Sequence, residues 1–184
     1  MADLLPLPQA ADVIAFWNAV GPEKWFKKDE AFDRRFHDRF LAAHEAAASG
    51  ALAAWTASPE GALALLILLD QFPRNAFRGT ARVYATDPQA RDIALQAVAA
   101  GFDRQVEAPL RPFFYLPFMH SEQSDDQDRC VALCEGIGGQ TLHFARHHRD
   151  IVRRFGRFPH RNAVLGRRST REEERFLAEG GFAG

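Results

Sequence analysis

The chain has 184 residues, 47% hydrophobic and 26% charged, and a formal net charge of −1. This is the composition of a globular chain, long enough for one domain that buries roughly 70% of its unfolded surface. A charge this close to zero excludes a global field that gathers nucleic acid or holds to an anionic membrane.

The N-terminal stretch MADLLPLPQAADV has no cationic segment and no long apolar one, so no export signal is expected and a cytoplasmic protein is. Pro8 to Val20 then reads as a helix, with Val13, Phe16, Trp17 and Val20 at steps of three and four. Gly21-Pro22 stops it, and Trp25 and Phe26 follow in a connector expected to pack back on the core. Asp29 to Ser49 is a long amphipathic helix with Phe32, Phe36 and Phe40 in one stripe, Asp29 as N-cap and Gly50 just past its end. Ser58-Pro59 is a well-formed helix start, as N-cap and N1.

Glu60–Phe72 follows, apolar without a break from Ala62 to Leu69. A helix with no solvent face belongs in the middle of a domain, and this one is far shorter than the roughly 20 residues a bilayer needs. Asp70 is expected at its C-terminal end, where the macrodipole disfavours an anion, with Arg74 or Arg78 as its cation.

Asp87-Pro88 opens another helix that Gly101 closes. The Pro-punctuated run Pro109–Phe118 is expected to break near Leu116. Helices then follow from about Ser124 to Gly136, over Gln140–Phe155 with Phe144, His148, Ile151, Val152 and Phe155 on one face, and after Thr170 with Glu173 in a capping box. Cys130 and Cys134, four apart on a helix, are expected as reduced apolar side chains. No stretch alternates as a strand. The expected fold is a single all-α domain over residues 1–184, of stacked antiparallel helical hairpins. A weak echo, Phe72-Pro73-Arg74-Asn75-Ala76 against Phe158-Pro159-His160-Arg161-Asn162-Ala163, favours a hairpin array.

Ionisable residues gather in Asp70–Arg78, in His120–Glu122 with Asp125, Asp126 and Asp128, and in Arg153–Arg168, which holds six arginines and no acid. Two readings stand side by side. In one, the acidic and basic runs pair as scaffold. In the other, Arg74, Arg157 and Arg161 bind a carboxylate or phosphate while His120, His148 or His160 transfers protons. His143 and His147 have metal-ligand spacing with only Asp150 at a suggestive third position, and a two-His step alone is a poor predictor, so neither a metal nor another cofactor is expected.

The runs LLDQFPRNAFRG, YLPFMHSE with Asp126-Gln127, and RFGRFPHRNAVLGRRST with Glu172-Glu173 resemble the bacterial DUF924 family, as do IAFW, FDRRF and GALAAW upstream. The resemblance covers nearly the whole chain and implies a tetratricopeptide-like helical fold, with no settled activity to transfer. It places Asp70, Gln71, Arg74, Asn75, Arg78, His120, Ser121, Glu122, His148, Arg157, His160, Arg161 and Asn162 at family motif positions. The expected function is therefore a binding module for a protein, a peptide or a small anionic ligand. The alternative is an enzyme acting on an anionic substrate through a His/Glu/Arg pocket. The candidate ligand-binding residues are Asp70, Arg74, Asn75, Arg78, His120, Glu122, His148, Arg157, His160, Arg161 and Asn162, and the sequence assigns no catalytic residue. Neither a nucleic-acid nor a membrane partner is expected, and the sequence specifies no oligomeric state.

Overall fold

The structure, a computed structural model, describes residues 7–183. The expectation about export rests partly on Met1–Pro6, which lie outside the described residues. The described residues are helical without strands. The helices are α1 (Ala10–Val20), α2 (Glu30–Ala48), α3 (Pro59–Leu66), α4 (Phe72–Ala76), α5 (Asp87–Ala99), α6 (Leu116–Met119), α7 (Ser124–Glu135), α8 (Gly139–Phe155) and α9 (Arg171–Ala178). Contacts divide the chain into two compact units. One runs through Arg78 and resumes over Arg82–Pro117; the other holds Gly79–Ala81 and the chain from Phe118 onward.

In the first unit every residue from Gly61 to Pro73 is buried, as a helix apolar on all sides requires. Ser58 caps its start through a 3.1 Å hydrogen bond from the Gly61 N–H. The segment packs against α1 and α5, so one buried helix organises this unit. Asp29 caps α2, its carboxylate accepting from the Ala31 and Phe32 N–H groups at 2.9 and 3.0 Å. The α2 stripe of Phe32, Phe36 and Phe40 meets Phe16 of α1 at ring separations of 5.1–5.6 Å. Trp25 returns to the core, its ring parallel to Trp17 at 6.2 Å and its Nε1 donating to the Trp17 carbonyl. Phe26 does not follow it and is 68% exposed.

Asp70 does not end a helix. Ile67–Gln71 forms a π turn, closed by the Phe72 N–H on the Ile67 carbonyl, and α4 continues directly to Ala76. Pro73 supplies the reason. A proline inside a helix has no N–H and its ring collides with the carbonyl four residues back, and a widened turn relieves both.

In the second unit, α7 and α8 pack together across the Gly136-Ile137-Gly138 link. Gly138 has φ +71°, which favours glycine there. Gly156, also left-handed, ends α8, and Pro159–Arg161 is a single 3₁₀ turn. The two Phe-Pro echoes thus differ: the first continues a helix, the second starts a turn after a helix has been capped. Phe144, expected on the apolar face of α8, is 44% exposed, while His148, Ile151 and Val152 are buried.

Candidate functional site

Four of the expected residues, Asp70, Arg74, Asn75 and Arg78, lie in the first unit, and the side chains of Arg74 and Asn75 serve the π turn. Its four successive carbonyls from Leu68 to Gln71 each accept a side-chain hydrogen bond. His44 Nδ1 reaches Leu68 at 2.9 Å, Thr86 Oγ1 reaches Leu69 at 2.5 Å, Arg74 Nη1 reaches Asp70 at 2.7 Å and Asn75 Nδ2 reaches Gln71 at 2.9 Å. Since a carbonyl only accepts, His44 carries its proton on Nδ1. Buried backbone acceptors demand partners, and here the side chains provide them where the widened turn and the proline after it disturb the ladder.

The charges in this unit are matched. Arg74 binds Asp87 with both Nη atoms, at 2.9 and 3.0 Å, and stands 3.2 Å from Asp70, which also accepts from Gln71 at 2.6 Å. Burial works against the Arg74 charge, yet Asp70 and Asp87 outweigh it and hold its pKa above the usual value. Arg78 pairs with Asp33 at 2.9 Å and donates to Asn75 at 3.1 Å. A cleft of about 450 Å³ in the same unit is lined by residues that include Ala47, Leu65, Gln89, Ile93 and Gln96. None of the expected site residues lines it.

The other seven expected residues lie in the second unit, where they separate into two groups. Three brace the chain between α8 and α9. Glu122 receives Arg167 with both oxygens, at 2.7 and 3.0 Å, and the Phe158 N–H at 2.8 Å. Burial raises its pKa, but these donors outweigh it and leave it below the ordinary carboxylate value. Arg157 grips Glu173 at 2.6 and 2.8 Å, a hydrogen-bonded pair that holds Glu173 down to about 2. Asn162 accepts from Arg167 and donates to Ser169. The acidic and basic runs therefore do meet as scaffold, with Arg153 on Asp128 as a further, exposed pair at 2.7 Å.

The remaining four, His120, His148, His160 and Arg161, form an electrostatic cluster. Burial first, then His120, pushes the pKa of His148 down to about 3, with Arg161 adding to the effect. Its Nδ1–H donates to the Phe144 carbonyl at 2.8 Å, so its Nε2 carries a lone pair. His160 is pushed down to about 4 by burial, then by Arg161, with Glu122 opposing. Its Nδ1 is buried and makes no hydrogen bond among the described residues. Arg161 is 7% exposed, its guanidinium 4.5 Å from the centre of the Phe158 ring. The site is a largely desolvated cluster in which the Arg161 guanidinium stands beside the His148 and His160 imidazoles, both held neutral near pH 7.

The family model described as "Bacterial protein of unknown function (DUF924)" matches residues 13–181. The chain belongs to the DUF924 family. It is also similar to the solved structure of a protein of unknown function from Agrobacterium tumefaciens. The identity is 56% and the TM-score 0.91, over 93% of this chain and 97% of that one. No curated protein matches the chain. Family membership thus fixes the fold and leaves the chemistry to the residues themselves.

Several residues of this DUF924 site carry no plain sequence signal. Asp87 and Thr86 lie beyond local reach of the π turn they serve. His44 had a signal, because Phe32, Phe36, Phe40 and His44 form one run of four-residue steps. Phe182 also joins the cluster, 4.6 Å from His148 and 5.2 Å from His160 between ring centres. Its signal is the Gly180-Gly181 pair before it. Among the described residues no group of three or more His, Cys, Asp or Glu is placed to hold a metal ion. No described helix is long and apolar enough to cross a membrane.

Proposed function

We propose that this protein binds a small anion, a carboxylate or a phosphate, at the cluster of Arg161, His148, His160 and His120. The observation that carries this reading is His160 Nδ1, buried beside a guanidinium without a hydrogen bond among the described residues. A buried polar atom in that state costs roughly 1–3 kcal/mol, and an anionic oxygen beside Arg161 removes the deficit by accepting from it. The same anion offsets the Arg161 charge, which adds to burial in keeping protons off His148 and His160.

Binding is favoured over proton-transfer catalysis by the same numbers. An effective general base has a pKa near the working pH, and His148 at about 3 and His160 at about 4 lie well below neutrality. Glu122, the acid–base partner an enzyme would use, is engaged with Arg167 and the Phe158 N–H. A peptide groove needs contiguous exposed apolar surface, whereas the large exposed apolar residues are scattered at Leu7, Phe26, Phe144 and Leu165. A cytoplasmic setting is part of the proposal and fits the two free, buried thiols of Cys130 and Cys134.

The test is thermal unfolding, followed by circular dichroism, against inorganic phosphate and simple carboxylates. A ligand at about 100 times its Kd adds roughly 2.7 kcal/mol when it binds only the folded state. At this size that amounts to a rise on the order of 5–10 °C. The expected result is such a rise with one anion class, absent in Arg161→Gln measured against its own baseline. No rise with any anion overturns the reading.

A further inference from the structure

Four aromatic rings close a circuit beside Arg161. The centre-to-centre distances are 5.5 Å from His148 to Phe158, 5.7 Å from Phe158 to His160, 5.2 Å from His160 to Phe182 and 4.6 Å from Phe182 back to His148. Three of these rings come from α8 and the turn after it. The fourth arrives from beyond α9 and is held differently.

Helix α9 ends in a paired turn, with the Gly180 N–H on the Leu177 carbonyl at 3.3 Å and the Gly181 N–H on the Phe176 carbonyl at 2.9 Å. Gly180 has φ +84°, so the chain reverses there in a left-handed conformation. A Cβ on Gly181 would collide with the Phe176 carbonyl and ring. Past Gly181, no backbone hydrogen bond among the described residues holds Phe182 or Ala183. The half-buried phenyl ring is seated by its neighbours alone: the rings above, His147 at 5.8 Å, and the small apolar cluster of Ile151, Val152 and Phe158. The charged groups around this seat are Arg161, Arg167 and Glu122, with His120 nearby as a titratable neighbour.

We propose that Phe182 is a built-in stand-in for the ring of the ligand, and that the site takes an aromatic carboxylate. Lifting Phe182 breaks no backbone hydrogen bond among the described residues and leaves a slot walled by two imidazoles and Phe158. Such walls prefer another aromatic ring, packed edge to face. The Arg161 guanidinium lies 4.5 Å from the centre of the Phe158 ring that walls this slot, so the occupant carries an anionic group on an aromatic body. Arg161 is suited to that group, because a guanidinium receives a carboxylate through two parallel hydrogen bonds. This inference rests on the anion-binding reading and narrows it. Bound ligand and seated Phe182 exclude one another, and the closed segment lowers apparent affinity by the fraction of time it is open.

The experiment is calorimetric titration of the full chain and of Phe182→Ala with benzoate, acetate and phosphate. Benzoate is expected to bind the native chain more tightly than acetate, and Phe182→Ala to tighten benzoate roughly tenfold while acetate changes by less than about twofold. Saturating benzoate on the native chain is further expected to move the Phe182 ring resonances toward those of an exposed phenylalanine, a measurement that needs no variant. Benzoate no tighter than acetate, or weakened by Phe182→Ala, overturns the stand-in while leaving the anion site in place. Binding of none of the three anions overturns both.

Discussion

At the residue scale, the polar motif around Asp70 is explained by what it satisfies. Removing Asp70 leaves Arg74 buried with less compensation, and breaking a buried ion pair costs about 3–5 kcal/mol. Asp70→Ala is therefore expected to lower the urea midpoint well below that of the native chain; an unchanged midpoint contradicts the pairing. His44→Leu strips the Leu68 carbonyl of its donor and is expected to cost about 1–3 kcal/mol by the same assay. The pairing of Asp70 with Arg74 was legible because residues four apart on a helix are neighbours. That of Arg74 with Asp87 was not, because it depends on how the chain turns between them. The histidine cluster was legible in part: His148 and His160 were named, but nothing local announced that both are desolvated against Phe182.

At the element scale, helix starts were readable wherever capping chemistry was written out. Asp29, Ser58 and Thr170 all cap as expected, the last in a reciprocal box with Glu173. The π turn was hidden, since Ala62–Leu69 is apolar all round and gives no helical phase in which a slip would show. Gly61 exposes how tightly this helix is seated: a Cβ there would collide with the Trp55 carbonyl. Gly61→Ala, ordinarily favourable in a helix, is expected to destabilise by more than about 1 kcal/mol, checked by the denaturant midpoint. Stability equal to or above that of the native chain would show that the Ala53–Ala57 turn can yield.

At the scale of the whole molecule, the all-α class followed from the spacing of apolar residues, whereas the grouping of contacts into two units had no sequence marker. Acid sensitivity also belongs to this scale. The folded-state pKa values of His148 and His160 lie below the unfolded value of about 6.5, so the unfolded chain binds more protons between pH 6.5 and about 4. Stability therefore falls as pH falls through that window, by an amount on the order of 3 kcal/mol for each histidine. Glu173, held at about 2, continues the loss below pH 4.5. Denaturant midpoints at pH 7, 5.5 and 4 check this, and His160→Gln is expected to flatten the upper part of the profile. The placement of chromophores decides how such experiments are read. Trp17 and Trp25, stacked in the first unit, are joined there by Trp55, Tyr84 and Tyr115, while the chain from Phe118 onward contains neither tryptophan nor tyrosine. Intrinsic fluorescence thus originates wholly in the unit that does not hold the histidine cluster. Ultraviolet emission tracks the aromatic packing of the first unit, and the proposed ligand site is dark to fluorescence until a tryptophan is introduced beside it.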